Sequence, residues 1–435
     1  MSAVLPARAA APTRLQRVRE STGLDTIELM FLLSALLAPA DIEVFGSLTI
    51  SDVLVTGVAY LLVADGRRIA ALPPLFIPAI LILLGAAAAG GFRASHPYET
   101  LTQLFQLGFI LLIQLSVILT VVTTRRLLHL SLLMVAIGSL AGNVASFVMQ
   151  QAQGADRILA FYSDNPNRLS YPTAYLLPFV LHYITVLWER GLRWRAFWVG
   201  GSLLYLMIWA LAASASRGGA LATVVGLVAY VVFADGLRGS LRRAMLTALG
   251  LGAVVLVLFN TTLFPVTLQD RVDRSLTTDA AEQTTLLADR ERLADAAVAG
   301  IIDSPIIGTG LDNFRHVAQK YHPQATPQQP HNMWLALMAE TGVVGALAAA
   351  FLFTTWFELL IRARRYTRDR ELQRLAWASV SSMMAVMAIF MTIPIMLHRH
   401  YWLLYGLGLA IVELIRRESE TAFAATGFTA RLDAR

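Results

Sequence analysis

Arg217 stands in the run Ser214-Ala215-Ser216-Arg217-Gly218-Gly219, a very tight turn between two apolar stretches. A guanidinium at such a boundary is costly unless it pairs with something. The serines offer donors and the glycines allow close backbone approach, which suits a phosphate or diphosphate. The competing reading is an interfacial arginine whose stem snorkels to the membrane surface. His331 opens another apolar stretch, in Pro330-His331-Asn332-Met333-Trp334. A histidine there titrates near neutral pH and can accept a proton from a hydroxyl. It can equally cap the helix that follows, with Asn332 sharing that role. Arg290, in Asp289-Arg290-Glu291-Arg292, reads either as a third basic member of the group or as surface charge with partners one turn away. Glu340, inside an apolar stretch, faces protein rather than lipid, and a structural bond is its expected role. His398-Arg399-His400 has the look of a metal pair, but no carboxylates accompany it and the spacing suits a strand better than a turn. We therefore expect no metal site and no cofactor.

These residues must be held by elements that the composition already restricts. Of 435 residues, 56% are hydrophobic and 15% charged, with a mean hydropathy of +0.60. Soluble domains have roughly 45–50% apolar and about 25% charged residues. A water-soluble enzyme and a disordered chain are both excluded. Cysteine is absent, which removes disulfides, thiolate metal sites and cysteine nucleophiles.

Crossing ~30 Å of hydrocarbon takes about 20 apolar residues as a helix. Twelve such runs are legible, near 27–41, 48–64, 73–91, 101–122, 127–149, 170–188, 196–213, 218–235, 242–263, 332–361, 375–396 and 400–415. The first two are short and broken by Pro39, Asp41 and Glu43, so they read as full, tilted or re-entrant spans. No cleavage site follows Arg8, Arg14, Arg17 and Arg19, and the first span is expected to stay as an anchor.

Charge placement sets the orientation. With residues 1–26 in the cytoplasm and the distal Arg431 and Arg435 left out, inner segments hold 22 arginines and the short outer loops hold five: Arg93, Arg157, Arg168, Arg217 and Arg399. Cytoplasmic loops are enriched in basic residues. The sequence therefore predicts an all-α polytopic membrane protein with about 12 transmembrane helices: spans 1–9 over 27–263, spans 10–12 over 332–416, and a second cytoplasmic tail at 417–435. The net charge of +6 is first a topology signal, and no nucleic-acid partner is expected.

Residues 264–331 form one long outer loop among short ones. Leu286, Leu287, Leu293, Ala297, Val298 and Ile301 repeat at helical spacing up to Ser304-Pro305. Gly308-Thr309-Gly310 and an amphipathic stretch at 311–321 follow, then a Pro/Gln-rich strap at 323–330. A helical periplasmic cap between spans 9 and 10 is the expectation.

In order and spacing, these pieces resemble the O-antigen ligase and polysaccharide polymerase superfamily. The resemblance rests on Ser214-Ala215-Ser216-Arg217; on Arg290 followed by Pro305 and Gly308-Thr309-Gly310; and on His331-Asn332 followed by Glu340-Thr341-Gly342-Val343-Val344-Gly345. Asn165-Pro166-Asn167 with Arg157 upstream resembles a further element, lacking a glycine usual between them. The resemblance covers about residues 157–360. It implies an integral-membrane glycosyltransferase of the bacterial inner membrane with its site on the periplasmic side. The donor would be a glycan on undecaprenyl diphosphate, and the acceptor another glycan or lipid A-core. It assigns catalysis to His331, Arg217 and Arg290, and substrate binding to Arg157, Asn167, Ser216 and Asn332. In ligases the last motif tends to end Gly-x-x-Gly-Thr-Thr, whereas Ala346-Leu347 follow Gly345 here. That favours a polymerase over a lipid A-core ligase. The rival class is a glycan flippase or transporter. Such proteins place carboxylates deep in their spans. Apart from Glu340 and Glu358, the runs here carry them only at span ends, and no inverted repeat or Walker motif is found.

Overall fold

The computed structural model describes residues 23–40, 42–45, 48–153, 167–214, 216–234, 280–394 and 396–425. The expected ninth span, Arg157 and the first part of the long loop lie outside the described residues. What is described is a helical bundle with one two-stranded hairpin. Thirteen helices are defined among these residues: α1 Thr26–Leu37, α2 Ile50–Ala64, α3 Phe76–Gly91, α4 Pro97–Val121, α5 Arg125–Gln153, α6 Asn167–Glu189, α7 (Arg193–Arg195 and Gly201–Ser214), α8 Arg217–Ala234, α9 Ala280–Asp303, α10 Phe314–Tyr321, α11 Met333–Tyr366, α12 Arg370–Phe390 and α13 Arg399–Ala425. Single π turns, Phe109–Gln114 and Ala196–Gly200, lie within α4 and α7.

Five of these helices are long and apolar enough to cross a membrane: α4, α5, α7, α11 and α12. Shorter apolar helices cover 26–40, 50–64, 76–91 and 217–233. Breaks in the apolar runs are backed by caps. Asp25 and Glu28 close a capping box at the start of α1, and Thr49 and Asp52 close one at α2; each satisfies amide donors that a helix start leaves free. Between α1 and α2 the chain turns through the antiparallel hairpin Glu43–Phe45 and Leu48–Thr49.

Successive helices run up and down, so their ends collect in two groups. At one end Arg125 bonds Asp369 (2.6 Å) and Glu418 (2.5 Å), Arg190 bonds Glu371 (2.7 Å) and Arg67 bonds Asp25 (2.8 Å). Three of the arginines expected on the cytoplasmic side, Arg67, Arg125 and Arg190, thus sit at one end. The other end carries the loop helices α9 and α10, and is called the loop end below.

The core runs through α11, α12 and α13, where Trp356 Nε1 donates to Tyr405 O at 2.8 Å and Tyr405 Oη donates to Leu352 O at 2.8 Å. Helix α8 packs against α12 and α6, and an added Cβ at Gly219 would meet Ser170 Oγ at 2.3 Å, so glycine sets that approach. A smaller core of Leu293, Ala296, Ala297, Phe314, Ala318, Ala325 and Ala339 joins the loop helices to the start of α11.

Candidate functional site

Helix α11 is bent at Gly342, whose φ of 68° is open to glycine at little cost. The Gly308-Thr309-Gly310 turn docks into that bend. Thr309 N donates to Ala339 O and Gly310 N to Glu340 O, both at 2.9 Å, and Val343 N donates to Pro305 O at 2.8 Å. Carbonyls and an amide freed by the kink thereby find partners from the loop. A Cβ at Gly342 would lie 2.0 Å from Ile306 O, and one at Gly308 2.3 Å from the Glu340 carbonyl carbon. The two glycine motifs are one clasp. Glu340 is buried, and its Oε1 accepts from Gln329 Nε2 at 2.6 Å and Phe314 N at 3.4 Å.

A second set of bonds ties the loop to the α3–α4 turn. Arg93 donates to Ser304 Oγ at 2.6 Å, and Asn313 Oδ1 accepts from Ser95 Oγ (2.9 Å) and His96 N (3.1 Å). Glu99 pairs with Arg315 (2.8 Å) and His316 (2.7 Å). The loop helices are held from two sides, and α9 presents Arg290 to the end of the bundle.

Four elements converge there. Asn332 caps α11, its Oδ1 accepting from Trp334 N at 2.9 Å and Leu335 N at 3.2 Å, which fixes His331 as the residue just before the helix. His331 is half-buried. Burial, and then the charge of Arg290, hold its imidazole below the usual value of 6.5. The neutral, proton-accepting form therefore prevails at neutral pH. The Arg290 charge also reaches Tyr171, near the start of α6. Tyr171 is buried and lies near Thr392, in the turn after α12. Thr392 in turn abuts Gly218: an added Cβ there would lie 2.7 Å from Thr392 Oγ1. Arg217, the preceding residue and the first of α8, is exposed at this same end.

Ser216 is buried and caps α8, its Oγ accepting from Gly219 N at 3.0 Å, while Ser214 Oγ accepts from Ser216 N at 3.3 Å. Both serines thus shape the turn that presents Arg217. Asn167 is the first residue of α6, four positions before Tyr171. Among the described residues neither Arg217 nor Arg290 forms an ion pair, and no three His, Asp or Glu side chains gather as metal ligands. A guanidinium near a neutral imidazole, with a second exposed at the same end of the bundle, suits an anionic leaving group and a hydroxyl nucleophile.

Residues 202–350 match the family model described as O-Antigen ligase. Over that stretch, about a third of the chain, the sequence is similar to the O-antigen ligase family. The matched stretch includes Arg217, Arg290, His331 and the clasp glycines, and no curated protein matches the chain. With five helices long and apolar enough to cross a membrane among the described residues, the chain has the make-up of a multi-pass membrane protein.

Tyr171 and Thr392 were not singled out from the sequence. Neither lies in a motif, and Tyr171 sits in a continuous apolar run where an aromatic reads as core. A weak signal existed: the tyrosine stands four residues after Asn167, on the same helical face.

Proposed function

We propose that this protein moves a glycan from undecaprenyl diphosphate to a hydroxyl of a second glycan, on the periplasmic side of the bacterial inner membrane, as a polysaccharide polymerase. The observation that carries the reading is the pairing of Arg290 with a neutral, half-buried His331 at the end of the bundle where Arg217 is exposed. His331 takes the proton from the acceptor hydroxyl as that oxygen bonds to the anomeric carbon. The bond from that carbon to the diphosphate oxygen breaks, and the diphosphate departs with the electron pair. Arg217 and Arg290 stabilise the charge that accumulates on it. Single displacement inverts the anomeric centre. Guanidinium groups take the place of a divalent ion, so transfer survives EDTA. Arg157, Asn167 and Asn332 hold and position the lipid-linked donor around this centre, with Ser216 shaping the turn beneath Arg217.

Twelve spans, both tails cytoplasmic and residues 264–331 as the periplasmic catalytic loop complete the proposal. The basic end of the bundle supports that orientation.

A lipid A-core ligase is the second reading, since the donor chemistry is the same. Ala346-Leu347, where ligases tend to have Thr-Thr, favours the polymerase. The lipid-linked pool of a deletion strain decides between them. Loss of a polymerase leaves single repeat units on the carrier lipid. Loss of a ligase leaves long, already polymerised chains there, and that result would overturn the polymerase assignment. An unchanged pool would remove glycan transfer altogether.

A further inference from the structure

A cavity of about 250 Å³ opens at the loop end, on the α11 face formed by Met333, Ala336, Leu337 and Glu340. Neither Arg217, Arg290 nor His331 lines it, so it is separate from the centre described above. Its volume falls just below the ~300–1,000 Å³ of pockets for drug-sized ligands, which is room for a single ring. The lining divides in two. Met333, Leu337 and Leu311 give an apolar surface, while Gln103, Asp312, Gln329 and Glu340 supply polar groups.

Those polar groups are wired together. Gln329 Nε2 donates to Asp312 Oδ1 at 2.9 Å and to Glu340 Oε1 at 2.6 Å, and Gln103 Nε2 reaches Asp312 Oδ2 at 3.3 Å. Gln329 Oε1 is buried and accepts no hydrogen bond among the described residues. A buried acceptor left unfilled is costly, and a ligand hydroxyl would satisfy it. Asp312 has a φ of 59°, the single positive value outside glycine among the described residues, and such outliers gather at binding sites.

Charge narrows the ligand further. Glu43, Asp312 and Glu340 line the cavity, and its one arginine, Arg399, is bonded to Asp52 at 2.7 Å. Asp312 Oδ2 is also paired with Arg315 at 3.1 Å, so the lining offers a diphosphate no unpaired guanidinium, while its carboxyl and amide oxygens can accept from hydroxyls. Acceptor oxygens beside an apolar face fit a pyranose ring, with hydroxyls around its edge and C–H bonds on its face. Position then selects which sugar. Gln329 and Met333 bracket His331 in the chain, and consecutive Cα atoms are about 3.8 Å apart, so the Cα atoms of these two lining residues lie within ~8 Å of the His331 Cα. The donor's diphosphate belongs with the arginines, which leaves the cavity for the incoming nucleophile.

We propose that this cavity is a saccharide subsite that seats the terminal sugar of the acceptor glycan beside His331. The proposal rests on the glycan-transfer reading above, and its test separates the two. The probe is the repeat-unit oligosaccharide released by mild acid from the cell's own polysaccharide. Saturation-transfer NMR with the purified full-length protein should show transfer to its sugar protons. His331→Ala should keep that signal. Ala336→Phe, which fills the cavity, and the milder Gln329→Ala should lose most of it, with thermal unfolding confirming that each variant is folded.

In transfer assays with extracted lipid-linked donor, Gln329→Ala should raise KM for the oligosaccharide about tenfold or more and leave KM for the donor unchanged. No signal in wild type, or one that persists in folded Ala336→Phe, overturns the subsite. A rise in donor KM instead overturns its assignment to the acceptor. Saccharide binding without any transfer by wild type sinks the enzymatic reading, and with it the acceptor role.

Discussion

Burial, and then the charge of Arg290 on a loop helix, lower the proton affinity of His331 at the mouth of α11. A positive neighbour disfavours the imidazolium, so the histidine stays a base below its ordinary titration range. The acid limb of a pH–rate profile should therefore lie below pH 6.5, the usual value for histidine. Arg290→Gln removes the charge, raises the histidine pKa and moves that limb to higher pH. Arg290→Lys should leave the limb near its wild-type position. Initial rates from about pH 5 to 8 check this. An unmoved limb in Arg290→Gln would separate the arginine from the base.

Arg217→Lys keeps the charge and loses the planar fork that grips two phosphate oxygens. Transfer should fall about ten- to a hundredfold, with the protein still folded. Wild-type rates in this variant would mean that the turn contributes a point charge only.

Gly342→Ala brings together a positive φ and a backbone oxygen 2.0 Å from the new Cβ. The clasp with residues 305–310 cannot close around it. A loss of ~3 kcal/mol or more is expected, since strain and collision act together. Thermal unfolding in detergent should report it, together with new protease cleavage near residues 304–310. Gly85→Ala, with open space around its Cβ, is the matched control.

Asp52 and Arg399 form a buried pair, with side chains 3% and 5% exposed. Asp52→Ala removes this counter-charge from a buried guanidinium and should cost ~3–5 kcal/mol. Asp52→Leu combined with Arg399→Met should recover most of the stability. A double variant no better than the single one would show that the pair is not the source of the loss.

Cysteine is absent from the chain, so single cysteines report topology cleanly. Lys320→Cys, on α10, should react with an impermeant thiol reagent in intact cells. Tyr366→Cys, at the basic end of α11, should react only after permeabilisation. The reverse pattern would put the proposed site on the wrong face.

The sequence by itself determined the membrane class, the position of most helices and the sorting of arginines to one end. Those follow from local properties: runs of apolar residues, polar breaks between them and the alternation of short loops. It also marked Arg217, Arg290 and His331, because each stands in a short recognisable run. Tertiary structure decided what these runs do. The Gly308 and Gly342 motifs proved to be two halves of one clasp, a relation set by how the loop meets a kinked helix. Arg399, read as an outer-loop arginine, is buried against Asp52, which is 347 positions away. The convergence of Tyr171, Thr392, Arg290 and His331, and the cavity beside them, also depend on side chains distant in sequence. Helical periodicity tells which face of a helix is buried. Which partner covers that face is settled by close packing among helices, and no local pattern encodes it.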